Sequence, residues 1–255
     1  MLKLPPRQMK PRDYGLTAIM DLGLPISYVE GLLDDYGDYI DIAKLGIGTA
    51  YITPKLKEKV ALYRRYNIDV CFGGTLFEKF YINGKTSEYF RYVEETGANM
   101  VEIAEGVISI SIKERLEIVS HIKSTYNGLI ILSEVGNKDD ERAECMDAQQ
   151  WISEIRALKD AGCSHVILEG RATGKGGIFN KTGAFRGNIF NAIAENIDCH
   201  ELIIEAPTLE IQAYFINRLG PNVNLGNVVP NDILLLESLR HGLKVETFFL
   251  NDNMI

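Results

Sequence analysis

A single (β/α)8 barrel of parallel strands, the TIM-barrel architecture, is the fold predicted here, and three observations predict it. Eight short, nearly all-apolar runs alternate with helix-like segments along the chain. Such runs suit parallel strands buried on both faces. Their spacing is steady: the strand and helix pairs fill about 230 residues, the size of a closed barrel. Most runs also end in a charged or glycine-rich step, most plainly where His165-Val166-Ile167-Leu168-Glu169 leads into Gly170-Arg171 and then Gly174-Lys175-Gly176-Gly177. A doubly wound open sheet shares the alternation, but no Gly-x-Gly-x-x-Gly follows the first run, which disfavours its dinucleotide-binding form. The 255 residues carry no Pro/Ser-rich linker. One domain over 1–255 is expected, with 1–14 as an N-terminal extension.

Taken in order, Leu16 to Asp21 reads as the first strand, and Ser27-Tyr28-Val29-Glu30 as a capping box opening a helix to about Tyr36. Tyr39 to Lys44 is the second strand, and Thr53-Pro54 offers a cap residue followed by proline at the first helical position. Ile68 to Phe72 runs into Gly73-Gly74-Thr75, with a helix near Glu88 to Thr96. Met100 to Ile103 comes next, and Ser111-Ile112-Lys113-Glu114 forms a second capping box. Leu129 to Glu134 precedes the acidic stretch Asp139 to Glu144 and a helix from about Asp147 to Ala161, where Gly162 suits the C-terminal cap. His165 to Glu169, Leu202 to Glu205 and Asn222 to Leu225 complete the strands, with helices near Gly187 to Asn196, Glu210 to Leu219 and Pro230 to His241.

The formal net charge of −8 argues against nucleic acid as the main partner, while leaving small anions open. Cys71, Cys145, Cys163 and Cys199 lie too far apart for a zinc pattern or a disulfide framework. A reducing cytoplasm is therefore the expected compartment. Met1 to Arg12 has no apolar core of a signal peptide, and no run approaches membrane-spanning length, so no membrane partner is expected.

Barrel closure gives the strand-end charges a common meaning, because active sites of this fold sit where the C-terminal strand ends converge. Asp21, Lys44, Glu102, Glu134, Glu169 and Glu205 are expected around one mouth, with Glu105, Lys138, Arg171 and Lys175 on its loops. Crowded carboxylates repel unless a cation compensates, and an all-oxygen set suits Mg2+. Magnesium is the expected cofactor, with Glu102, Glu134 and Glu169 as its ligands. Arg171 can grip a carboxylate or phosphate with two prongs, and Lys44, Lys138 and Lys175 can supply point charges or a proton. Internal charge balance without any ligand is the plainer alternative. Gly174 to Gly177, or Gly226-Asn227 ahead of a helix start, can seat a phosphate. His121, His200 and His241 fall in or beside helices, and His165 begins a strand at the far end, so no histidine is a good catalytic candidate.

Several stretches are long enough to be specific. Lys44-Leu-Gly-Ile-Gly-Thr49, Gly73-Gly-Thr-Leu-Phe-Glu78, Glu134-Val-Gly-Asn-Lys138, Glu169-Gly-Arg-Ala-Thr-Gly-Lys-Gly176, Glu205-Ala-Pro207, Val223-Asn-Leu-Gly-Asn227 and Leu236-Glu-Ser-Leu-Arg-His-Gly-Leu243 resemble, in order, the phosphosulfolactate synthase family. The resemblance implies a (β/α)8 barrel, Mg2+ dependence, and addition of sulfite to phosphoenolpyruvate giving phosphosulfolactate, an early step toward coenzyme M in methanogens. It implies Lys138 as the general acid, with Lys44, Arg171 and Lys175 holding substrate, beside the phosphate seat already expected at Gly226 and Asn227. A cytoplasmic homo-oligomer, with a trimer the expected form, also follows from it. Glu105 and Val107 stand where the family pattern has Asp and Ser, and Asn137 where it has a second lysine. These departures bear on the substrate more than on the fold. They leave open another enol phosphate, or a non-enzymatic barrel like the heat-stress relatives of plants.

Overall fold

The computed structural model describes residues 2–136, 146–170, 177–179 and 185–250. Strands β1 (Thr17–Asp21), β2 (Ile42–Leu45), β3 (Asp69–Phe72), β4 (Met100–Ile103), β5 (Ile130–Val135), β6 (His165–Leu168), β7 (Leu202–Glu205) and β8 (Leu225–Val228) close in sequence order, β8 pairing back to β1. Every pairing is parallel. Around this sheet the described residues place helices α1 (Ile26–Tyr36), α2 (Thr49–Ile52), α3 (Leu56–Arg65), α4 (Gly74–Ile82), α5 (Thr86–Thr96), α6 (Ile112–Thr125), α7 (Ala148–Ala161), α8 (Gly187–Asn196), α9 (Leu209–Leu219) and α10 (Ile233–Arg240).

Alternation along the strands divides the core in two, since successive side chains point to opposite faces. Leu16, Ala18, Ile42, Cys71, Met100, Leu132, Ile167 and Ile203 fill the barrel interior. Their neighbours in the chain, such as Ile19, Ala43, Val101, Ile131, Val166 and Ile204, face the helices.

Local caps explain several boundaries and correct others. Ser111 and Asp147 form full capping boxes with Glu114 and Gln150, and Gly162 closes α7 in the left-handed conformation. Ser27, by contrast, lies inside α1, which begins after Pro25 with no side-chain cap. Thr53 closes the short α2, its hydroxyl donating to the Thr49 carbonyl, so α3 starts only at Leu56. A 3-10 turn over Gly37–Tyr39 delays β2 to Ile42. Helix α4 rises from the Gly-Gly-Thr-Leu-Phe-Glu stretch without a local cap residue. Its Gly74 N–H donates instead to Glu102 Oε1 at 2.7 Å, from a distant strand.

The last strand also moves. Asn222 and Asn224, expected at its start, are anchors: Asn222 Oδ1 accepts from Arg7 Nη1 and the Gln8 N–H, while Asn224 Oδ1 accepts from the Leu16 N–H. Regular pairing begins at Leu225, so Gly226 and Asn227 lie within β8. The N-terminal extension crosses the N-terminal end of the barrel. Arg7 pairs with Glu237 at 3.0 Å, Arg12 with Asp41 at 2.9 Å, and Lys10 Nζ donates to the carbonyls of Gly37, Ile40 and Tyr66. No helix among the described residues is long and apolar enough to cross a membrane.

Candidate active site

The period of two that fills the barrel also selects which strand-end charges enter its mouth. Lys44, Glu102, Glu134, Glu169 and Glu205 each lie two residues after an interior position, namely Ile42, Met100, Leu132, Ile167 and Ile203. They therefore cap the interior at the C-terminal end, and all five are buried. Asp21 follows Ile19, which faces the helices. Its carboxylate accordingly leaves the mouth, taking Lys59 at 2.9 Å, the Tyr63 hydroxyl at 3.1 Å and the backbone N–H groups of Gly23 and Leu24. Glu105 also turns away, toward Arg115 at 3.4 Å.

Lys44 stands among three of the remaining carboxylates, with Glu102 at 2.7 Å, Glu205 at 3.1 Å and Glu134 at 3.9 Å. Burial pulls the lysine's proton affinity down, but these three negative groups overcome it and hold the ammonium well above its ordinary range. Glu102 is raised as well, to about 7: burial raises it, Lys44 opposes, and Glu134 and Glu205 add to the rise. Here Glu102 serves the fold as well, because its second oxygen caps α4. An added Cβ at Gly74 would lie 2.9 Å from that oxygen and 2.2 Å from the Ala104 side chain, so glycine is needed for the approach.

Among the described residues, the metal-capable set is Glu134, Glu169 and Glu205, which offer carboxylate oxygens within 4.8 Å of one another. All three are buried. Their hardness, spacing and shared charge fit a divalent cation with oxygen preference such as Mg2+. The geometry thus gathers two of the three carboxylates expected for metal, Glu134 and Glu169, and replaces Glu102 in the cluster with Glu205. Glu205 is held for this position: its Oε2 accepts from the Gly170 N–H at 3.1 Å, and its Oε1 faces Lys44. Glu169 is fixed through its backbone, whose carbonyl accepts from Ile178 N–H at 2.9 Å as the chain returns.

The expected phosphate seat in β8 lies beside this cluster. Gly226 and Asn227 line a small cavity with Lys44, Glu102 and Glu205. Asn227 holds a left-handed backbone, φ 56°, and its buried Oδ1 has no hydrogen-bond partner among the described residues. An added side chain at Gly226 would press on Ile203 at 3.0 Å. Lys138, Arg171 and Lys175 lie outside the described residues. A depression of about 910 Å3 lies at the opposite end of the barrel near His165, Arg12 and Asp41. Its Arg12 and Asp41 are already paired with each other, and its Lys10 donates to three carbonyls. His165 is indeed remote from the mouth, and burial lowers its proton affinity.

Sequence reasoning placed Glu205 on the mouth without assigning it to metal, and missed Lys59, Tyr63, Glu78 and Arg115. Glu78 accepts from the Val107 and Ile108 N–H groups and so shapes the loop after β4. Strand parity was the signal for Asp21 and Glu205; Glu78 ends the Gly73-to-Glu78 stretch without its role being visible there, and no local pattern marks Arg115.

Fold and mouth together define a (β/α)8-barrel enzyme. The chain belongs to the phosphosulfolactate synthase family: residues 5–246 match the (2R)-phospho-3-sulfolactate synthase (ComA) family. It is 38% identical to the phosphosulfolactate synthase of Bacillus subtilis over 250 residues, covering 98% of each chain. It is 40% identical to that of Methanocaldococcus jannaschii over 237 residues, covering 92% of this chain and 94% of the relative. Among solved structures, 3-hexulose-6-phosphate synthase from Salmonella typhimurium superposes with a TM-score of 0.55 at 12% identity, over 89% of this chain and 100% of that one. The YdjI aldolase of Escherichia coli gives 0.57 at 10% identity, over 95% and 90%. These two share the fold alone.

Proposed function

We propose that this chain adds sulfite to phosphoenolpyruvate to give phosphosulfolactate, using Mg2+ held by Glu134, Glu169 and Glu205. The family match over residues 5–246 carries the reading, and the buried three-carboxylate cluster supports its metal. Magnesium so held would supply a hard Lewis acid to the oxygens of an anionic substrate.

In this reading the sulfur lone pair of sulfite forms the C–S bond at the methylene carbon. The π electrons of the double bond move toward the carboxylate, giving an enediolate-like intermediate. Lys138 then delivers a proton to the adjacent carbon, and the phosphate ester stays intact. Lys44 remains charged in its carboxylate nest and offsets part of the negative charge that the anionic substrate brings. Arg171 and Lys175 bind phosphate or carboxylate, and Asn227 presents its amide to the cavity it shares with Lys44 and Glu205. Glu102 keeps Lys44 and α4 in register, a positioning role.

The test is thermal stabilisation by phosphoenolpyruvate, measured with and without Mg2+. Binding at 100 times the Kd adds about 2.7 kcal/mol to stability. The reading expects that gain to depend on the metal and to be lost in Glu134→Gln. No stabilisation under either condition would remove phosphoenolpyruvate as the substrate.

A further inference from the structure

We propose that Arg115 is a positioning residue for this reaction, one that fixes the exit of β5 and, through it, the Glu134 carboxylate. The inference rests on the reading of Glu134 as a metal ligand. Arg115 sits on α6 with its side chain 1% exposed, behind the barrel wall and out of reach of substrate. Its Nη1 donates to the main-chain carbonyl of Glu134 at 2.7 Å. Its Nη2 meets the Glu154 carboxylate of α7 at 2.5 Å and the Glu105 carboxylate of the β4 loop at 3.4 Å.

The sheet explains why a side chain is needed there. Pairing of β4 with β5 runs only to Ile103 opposite Ser133. The Glu134 carbonyl lies one residue past that last rung, and a buried carbonyl needs a donor. Arg115 supplies it from a helix in place of the missing strand. A planar fork can serve the carbonyl and two carboxylates together, which a lysine ammonium on a single stem cannot do in the same geometry. On the other flank, Gly136 has φ 104°, and an added Cβ would meet the Trp151 ring at 2.4 Å. Residues 134 to 136 are thereby held from two sides at the exit of β5. The same guanidinium pairs with Glu105, the residue that departs from the family pattern.

The test compares wild type, Arg115→Lys, Arg115→Met and Glu154→Gln. Mg2+ binding is followed by calorimetry, kcat and KM by product formation, and folding by melting temperature. Arg115→Lys is expected to weaken Mg2+ binding by about 10- to 100-fold, the usual cost of removing a group that orients a metal ligand. Its kcat falls at saturating Mg2+, while KM for phosphoenolpyruvate stays within about twofold because no substrate contact is lost. Glu154→Gln keeps the bond to the Glu134 carbonyl and should keep the wild-type Mg2+ affinity. If Arg115→Met does not fold, the lysine and Glu154 variants decide. A folded Arg115→Lys with wild-type Mg2+ affinity and kcat overturns the proposal, as does an equal loss in Glu154→Gln. Wild-type protein that binds Mg2+ but makes no product overturns the sulfite reading alone, and the calorimetric comparison still judges Arg115.

Discussion

The two ends of this barrel treat charge in opposite ways. At the N-terminal end, Arg12 meets Asp41, Arg7 meets Glu237, and Lys10 is satisfied by three carbonyls. Buried Arg240 shares Glu237 with Arg7, so the cations there meet carboxylates or carbonyls, which ties the N-terminal extension across the sheet. At the C-terminal end, Glu102, Glu134 and Glu205 gather around Lys44, and Glu169 stands beside Glu134 and Glu205. Placing like charges together in a desolvated mouth costs stability and leaves a field suited to a cation. The first arrangement holds the fold, and the second is suited to binding a cation.

Four substitutions sharpen that contrast, the largest effect first. Lys138→Ala should lower turnover by about 100- to 10,000-fold, the range of a lost general acid, with stabilisation by phosphoenolpyruvate retained. Unchanged turnover in a direct assay would remove the lysine from that role. Glu169→Gln should weaken the Mg2+ response by at least about 10-fold, yet its metal-free melting temperature should hold or rise because like charge is relieved. A fall in melting temperature with normal metal titration would place Glu169 among the structural carboxylates.

The other end should answer in the opposite sense. Arg12→Ala strands a buried Asp41 and is expected to cost about 3 kcal/mol in denaturant unfolding, without changing kcat. Activity loss in the folded variant would mean that the two ends are coupled. His165 gives the smallest effect. Its proton affinity is lowered from the ordinary 6.5 by burial first and Lys159 second, against the Asp13 backbone, Glu201 and the Asp13 charge. The unfolded chain therefore takes up this proton first. The stability contributed by neutral His165 is present above about pH 6.5 and lost as pH falls through the lower folded value. Melting curves of His165→Gln should show a shallower decline over that acid limb, and an unchanged slope would contradict the assignment.

The fold was legible because its signal is periodic. Apolar runs such as Leu202 to Glu205 and caps such as Ser111 and Gly162 speak locally. Where the determinant is distant, the sequence misleads: Glu102 caps α4 from another strand, and Asn224 anchors the approach to β8 through the Leu16 N–H, so helix and strand start elsewhere. The site was legible in part for the same reason. Counting by two from Ile203 brings Glu205 inward, and counting from Ile19 sends Asp21 outward, a step available from the sequence once the interior positions are known. Arg115 was hidden, because its task depends on where the β4 and β5 pairing stops.

The most direct measurement is product formation from phosphoenolpyruvate and sulfite by the purified protein, with and without Mg2+, read by mass spectrometry. The account predicts a phosphosulfolactate signal that requires the metal and disappears in Lys138→Ala. Folded protein that binds Mg2+ and yields no such product would contradict it and turn attention to another enol phosphate.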